Sequence, residues 1–232
     1  MFPDDLQRLK DFYLDRDVDL AENNKYSFFN QSYLFTIQQR SRNVLALLRK
    51  SGFEKFSDYK ILEVGCGTGG VLLEYLAFGA NSCQLHGCDL MPHRLQYARE
   101  KLPSELPLVA ANGQHLPYRS QAFNLVMQYT VFSSILSAEI KRDLAEEMRR
   151  VLKPGGMILW YDFWLNPTNP QTKGIRPLEI RQLFPSCRIE LHKITLAPPL
   201  TRFLVKVSWM MCLVLEKCLV FNTHYLAMIT PE

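Results

Sequence analysis

One glutamate, four glycines and one aspartate carry the densest chemical signal in this chain. Glu63-Val64-Gly65-Cys66-Gly67-Thr68-Gly69-Gly70 follows a short apolar run, and Asp89 stands about twenty residues further on. Glycines at this spacing permit a tight turn and let the backbone approach a ligand, while a helix starting just after them offers unpaired N–H groups. Two patterns overlap here. Gly65, Gly67 and Gly70 satisfy Gly-x-Gly-x-x-Gly, which together with Asp89 is formally a dinucleotide site. The same stretch also spells Glu-x-Gly-x-Gly-x-Gly, with a carboxylate two places before the first glycine.

Such a turn needs a strand before it and a helix after it, and the chain supplies both repeatedly. From residue 60 onward, apolar runs of strand type alternate with amphipathic helical stretches: 60–64 and 71–78, 83–89 and 93–102, 106–110 and a polar loop, 123–130 and 139–152, 157–164 and 178–184, then 188–196. This alternation predicts an α/β fold, a mostly parallel sheet with helices on both faces, whose ligands bind at the carboxyl ends of the strands. The first 59 residues read mostly as helix. Leu34, Ile37, Val44, Leu45, Leu47 and Leu48 recur at helical spacing, and Gly52 follows Arg49 and Lys50 as a helix end should. With no internal repeat or linker, 1–232 reads as one domain: a helical cap (1–59), a core (60–164) and a carboxyl-terminal part (165–232).

Composition narrows the function classes. A chain of 232 residues with 47% hydrophobic and 22% charged residues is an ordinary globular chain, not a disordered or fibrous one. The net charge, 27 − 23 = +4, is too mild to imply nucleic acid. Residues 1–22 are acidic, with Asp4, Asp5, Asp11, Asp15, Asp17, Asp19 and Glu22 against Arg8, Lys10 and Arg16, and read as a solvated helix. MFPDDLQRLK has no apolar signal region, and no run of about 18 apolar residues exists, so a cytoplasmic protein without a transmembrane span is expected. The six cysteines are then expected to be reduced, and their spacing fits no zinc site.

Taken with the segments that follow it, the glycine stretch resembles the first motif of the class I S-adenosylmethionine-dependent methyltransferases. The resemblance covers roughly residues 60 to 164. Cys88-Asp89-Leu90-Met91 matches the end of the second strand, with Asp89 at the position of the acid that binds the ribose hydroxyls. Asn112-Gly113-Gln114-His115-Leu116-Pro117-Tyr118 resembles the adenine-recognition stretch, with Asn112 where the family usually has Asp. Phe123-Asn124-Leu125-Val126-Met127-Gln128 looks like the fourth strand, and Leu152-Lys153-Pro154-Gly155-Gly156 like the helix-to-strand turn before the fifth. The resemblance implies a Rossmann-like, mostly parallel seven-stranded sheet with an antiparallel last strand, and S-adenosylmethionine as cofactor. It implies cofactor contacts from Glu63, Gly65, Cys66, Gly67, Gly69, Asp89, Leu90, Asn112, Gly113 and Gln128, with Cys66 contributing backbone rather than thiol. Glu63 would hold the cofactor's ammonium end. Tyr26, Tyr33 and Arg40 fall where related enzymes fold a helical lid, and Arg40 has the fork geometry that suits a methionine carboxylate. A nicotinamide oxidoreductase is the alternative, supported by Tyr97-x-x-x-Lys101, but it leaves the last three segments unexplained.

Methyl transfer needs an aligned acceptor and, for a hydroxyl, a proton acceptor. In the implied topology the final strand, 225–229, runs antiparallel and starts at the active-site edge. That makes His224 the leading general base, followed by Asp162 and Tyr161 at the end of the fifth strand and Tyr129 after the fourth. His86 reads as a core histidine, and His115 as a border of the adenine site. Between the last two strands lies an unusually apolar segment, 200–221, which predicts a buried helix after Pro198-Pro199. It would pack over the active-site edge, forming with the amino-terminal helices the lid of an apolar acceptor pocket, onto a second copy, or onto a lipid interface; filling the core beside an exposed sheet edge is an equal alternative. Segments 160–163 and 196–199 are similar to bacterial methyltransferases of glycan and natural-product pathways. The expected activity is therefore methylation of a small-molecule acceptor, apolar or glycosidic, at a hydroxyl of a sugar or natural product. A catalytically silent S-adenosylmethionine-binding scaffold subunit is the alternative from another class. Peripheral membrane contact and the oligomeric state remain open.

Overall fold

The computed structural model describes residues 3–22, 26–166, 169 and 171–232, and within the first helix the side chains of residues 5–14. Asp4, Asp15, Asp17, Asp19 and Glu22 of the acidic run have their side chains outside the described residues. Two long helices open the chain, α1 (Pro3–Glu22) and α2 (Gln31–Lys50). Asn30 caps α2 by accepting from the N–H groups of Ser32 and Tyr33, and Gly52 (φ +78°) turns the chain away at its end.

The sheet follows as β1 (Ile61–Val64), α3 (Gly70–Ala77), β2 (Leu85–Asp89), α4 (Pro92–Arg99), β3 (Leu108–Ala110), β4 (Phe123–Tyr129), α5 (Ala138–Arg150), β5 (Leu152–Phe163), α6 (Pro177–Leu183), β6 (Cys187–Leu196), α7 (Pro198–Leu204), α8 (Trp209–Leu215) and β7 (Asn222–Pro231). Seven strands lie in the order β3-β2-β1-β4-β5-β7-β6. β7 inserts between β5 and β6 and runs antiparallel to both, while the other paired neighbours are parallel. The expected seven-stranded, mostly parallel sheet with an antiparallel last strand is therefore present. The 152–156 turn appears as a wide bulge at the start of β5, where pairing jumps from Phe123↔Leu152 to Leu125↔Met157.

Alternation along the strands separates two cores. Leu62, Val64, Val126, Ile158 and Trp160 face one, together with Leu144 and Met148 of α5 and Leu9 of α1. Ile61, Leu125, Met127, Tyr129, Leu159 and Tyr161 face the other, with Leu47 and Leu48 of α2, Leu72 and Tyr75 of α3, and Ala98 of α4. The two amino-terminal helices therefore divide between opposite faces of the sheet rather than forming one cap. α1 also straps the loop after β4: Asp5 accepts from the N–H groups of Leu136 (3.0 Å) and Ser137 (2.9 Å), and Arg8 donates to the Ser134 carbonyl (2.6 Å).

The apolar segment 200–221 corrects the expectation of one buried helix. It forms two seven-residue helices and a short 3-10 turn, Leu219–Phe221. Ser208 interrupts the run because its hydroxyl accepts from the Met211 N–H and starts a new helix. Leu204, Val205 and Cys212 pack inward with Phe35 and Leu196, flanked by Leu200, Trp209, Leu213 and Leu215, while the outer apolar side chains stay exposed. Among the described residues, no helix is long and apolar enough to cross a membrane.

Candidate active site

Strand register assembles the site. Val64 pairs with Cys88 on one side and Gln128 on the other, so the glycine loop, Asp89 and the end of β4 emerge at one edge. The N–H groups of Gly65 and Cys66 donate to the Cys88 carbonyl (2.8 and 3.0 Å), holding the loop against β2. Asp89 accepts from the N–H groups of Gly67 (2.7 Å) and Met91 (2.9 Å), which leaves lone pairs on both oxygens for a further donor. Gly65 (φ +75°) and Gly69 (φ +78°) sit where L side chains are strained, and a Cβ on either would collide, 2.4 Å from Val131 and 2.7 Å from Leu102 respectively. Cys66 is buried, and burial pushes its thiol well above the usual range, so its backbone and not its sulfur is the useful part.

The face carrying α2 and α3 holds an unusual buried polar group. Arg40 pairs with Glu74, which also accepts from the Ser41 hydroxyl (3.1 Å). The Arg40 guanidinium lies over the rings of Tyr129 (5.1 Å) and Tyr161 (5.5 Å). Tyr129 shares a hydrogen bond with Tyr75 (3.2 Å), and Tyr161 with the Thr195 hydroxyl (2.8 Å). Burial opposes the Arg40 charge, but Glu74 and the tyrosines outweigh it and hold its pKa above the ordinary value. Glu63 shares this region. Burial pushes its carboxyl well above the usual range, and the Arg40 charge pulls it only partly back.

Two buried atoms on this face have no hydrogen-bond partner among the described residues, Glu63 Oε2 and Arg40 Nε; a third, Gln128 Nε2, follows Val126 onto the α5 face at the end of β4. Gln128 spends its oxygen on the Val131 N–H (2.9 Å) and leaves its amide N–H unused. Unpaired buried polar atoms are costly, so these atoms at the carboxyl edge of the sheet demand an explanation. The pair on the α2 face is one acceptor and one donor, complementary to the ammonium and carboxylate of an amino-acid head group. S-adenosylmethionine carries that head group, and its ribose hydroxyls suit the remaining lone pairs of Asp89.

Other expected contacts sit differently. Asn112 turns its amide into its own loop, accepting from the Gln114 N–H (3.1 Å) and donating to the Gln114 side chain (3.2 Å). Gly113 faces α5, where a Cβ would meet Leu144 at 2.6 Å, so packing already requires glycine there. Leu90 is half-buried just past Asp89. Tyr33 packs with Tyr26 and Phe28 at the start of α2, near enough to Arg40 to sense its charge.

The base candidates are not brought together. His224 and Tyr129 lie on the α2 face, whereas Asp162 follows Trp160 onto the opposite one, where it accepts from the N–H groups of Ser133 (3.1 Å) and Phe163 (2.8 Å). His224 is stacked on Tyr161 (4.7 Å between centroids) and against Phe163 (3.9 Å). Burial, then the Arg40 charge, push its pKa down to about 3. An imidazole of that basicity is a poor proton acceptor, which weighs against the expectation of His224 as leading base. Burial pushes Asp162 up to about 6, close to what a general base needs near neutrality. Burial keeps the Tyr129 hydroxyl protonated, which makes it a donor rather than a base.

Four residues at the site escaped the sequence reading. Glu74 and Tyr75 hold Arg40 and Tyr129, Thr195 holds Tyr161, and the Arg94 guanidinium lies 3.2 Å from where a Gly67 Cβ would stand. One had a signal: Glu74 is the only charged residue in the α3 sequence GVLLEYLA.

Comparison with known proteins agrees with this geometry. Residues 61–156 match a family model described as a methyltransferase domain. Over 106 residues the chain is 32% identical to a sterol 4-C-methyltransferase of Caenorhabditis elegans, covering 44% of this chain and 30% of that protein. It is 29% identical to a ubiquinone/menaquinone biosynthesis C-methyltransferase of Syntrophotalea carbinolica, over 69% of this chain and 65% of that one. The chain thus spans less than two thirds of the length of either relative. A crystal structure of a Pyrococcus horikoshii protein shares the fold, with TM-score 0.64, 16% identity, and 92% and 98% of the two chains covered.

Proposed function

We propose that this chain, which carries a methyltransferase domain of the class I S-adenosylmethionine-dependent fold, transfers a methyl group to a hydroxyl on a small molecule with an apolar body. The observation that carries this reading is the pair of unpaired buried atoms on the α2 face, Glu63 Oε2 and Arg40 Nε, at the same strand edge as Asp89 and the glycine loop. When bound, the cofactor supplies a methyl group on a sulfonium, already activated for displacement. Glu63 then takes the ammonium, Arg40 the carboxylate, and Asp89 the ribose hydroxyls, while Gln128 borders the site from the end of β4. The tyrosines around Arg40 hold that cation in place and exclude water. Asp162 is the proton acceptor this reading favours, because it alone among the expected bases combines burial with a pKa near 6.

The natural-product side of the acceptor expectation is preferred to the sugar side. Relatives named as sterol and quinone methyltransferases support an apolar small molecule. All six cysteines are free, which supports the cytoplasm as the working compartment.

A thermal-shift panel with S-adenosylmethionine, S-adenosylhomocysteine, NAD and NADP tests the cofactor. A ligand at a hundred times its Kd stabilises by about 2.7 kcal/mol, so the first two should raise the Tm clearly. Stabilisation by NAD alone sinks the reading in favour of an oxidoreductase. Incubation with methyl-labelled cofactor and separated apolar and sugar fractions of cell extract tests the acceptor. Label in neither, despite firm cofactor binding, favours the silent scaffold.

A further inference from the structure

We propose that the α7–α8 segment is a docking face for an anionic lipid surface. Folded proteins seldom leave large apolar side chains clustered in water without a partner. Here they crowd one short stretch. Phe203 is 69% exposed, Met210 67% and Val220 76%, and Val207, Met211, Val214, Leu219 and Phe221 are exposed as well. Met210 and Val214 lie four residues apart and turn one side of α8 outward, Phe203 of α7 and Val207 in the turn after it are exposed beside them, and Leu204 and Cys212 face inward.

The charges on the same stretch select the partner. Arg202, Lys206 and Lys217 are exposed among the apolar groups. The sole acid between 197 and 221 is Glu216, and it is buried and bound by Arg42 at 2.9 and 3.1 Å. An apolar face edged with bases and free of exposed acid complements anionic headgroups above an acyl layer. A symmetric pair of chains would use the same patch on both copies and set these three bases against their own kind, which opposes association. The short helices can lie on such a surface but cannot span it.

The face is also joined to the roof of the site. Trp209 packs edge to face on Phe35 of α2 (5.2 Å), and α2 is the helix that carries Tyr33 and Arg40. Nevertheless, the inference rests on the exposed surface alone and not on the methyl-transfer reading.

Flotation of the whole chain with vesicles tests it. Vesicles of phosphatidylcholine with 30% phosphatidylglycerol should bind the protein at least ten times more tightly than phosphatidylcholine alone, with the preference shrinking as salt rises. Two variants should each lower binding to the anionic vesicles about tenfold or more: Phe203→Ser/Met210→Ser/Val220→Ser and Lys206→Glu/Lys217→Glu. These side chains are exposed, so the Tm and the cofactor-induced thermal shift should stay unchanged and certify the fold. Absence of wild-type binding to anionic vesicles overturns the proposal without reference to any variant. So does a dimer in sedimentation velocity that the triple-serine variant dissociates, which would assign the face to a second copy.

Discussion

Glu63 and Asp162 are both buried carboxyls at the ends of neighbouring parts of the same sheet, and burial raises the pKa of both. Their partners separate them. Asp162 accepts from two backbone N–H groups, one on each oxygen, and settles at about 6. Glu63 keeps one oxygen with no partner, and burial pushes it well above the usual carboxylate range. A carboxylate satisfied by its own chain is stable enough to serve as a base. One left unsatisfied makes the folded protein less stable, and the proposed ammonium contact would supply the missing partner.

Changing each residue sharpens that contrast. The largest effect is expected from Asp162→Asn, which should lower kcat by about 10²–10⁴-fold in single-turnover assays while leaving cofactor affinity intact. The amide must also turn its NH₂ toward one backbone N–H, so the Tm should fall, by a free energy of about 1–3 kcal/mol. In the parent enzyme kcat should rise with pH through about 6 and then level, since only the ionised carboxylate accepts a proton. A flat profile, or a variant with full turnover, removes Asp162 from the mechanism.

Next comes Glu63→Gln, with the opposite stability signature. Cofactor affinity should weaken about 10- to 100-fold by calorimetry, equivalent to roughly 1.4–2.8 kcal/mol. The Tm of the ligand-free protein should nevertheless rise at neutral pH. The sign follows from linkage: a carboxyl whose folded pKa is raised binds a proton more tightly when folded, so stability is lost as pH climbs above the unfolded value. The same shift means that binding a cationic ammonium expels a proton, and affinity should grow with pH. Calorimetry in two buffers of different ionisation enthalpy reads that release directly, and no proton release contradicts the role given to Glu63.

Arg40→Lys should be milder, about a tenfold loss of cofactor affinity, because a lysine lacks the planar fork that reaches Glu74 and a second carboxylate together. Smallest of all is His224→Phe. A ring of similar size should keep the stack on Tyr161, and turnover should stay within about twofold. A large drop in kcat there would restore the histidine as the base.

Much of this could be read from residue order. The strand–loop–helix rhythm, the glycine stretch and Asp89 depend on contacts close in sequence, and each landed where periodicity and turn chemistry put it. The carboxyl-terminal third was less legible. The apolar run 200–221 has the composition of a core helix, and nothing local reveals which side of it is covered. Only the packing of α7 and α8 on α2 and β6 shows that their outer faces remain bare.

The candidate site divides along the same line. Local sequence determined which residues stand at the carboxyl ends of the strands, because a strand's period of two and a glycine turn are short-range properties. Tertiary structure decided what those residues can do. Arg40 meets Glu74 across 34 positions, Tyr161 meets Thr195 across 34, and His224 is buried by rings from β5. Proton affinity depends on desolvation and on charges brought near by folding. A histidine that looked like a base by type and place is therefore a buried, stacked ring, and a strand-end glutamate keeps one oxygen without a partner.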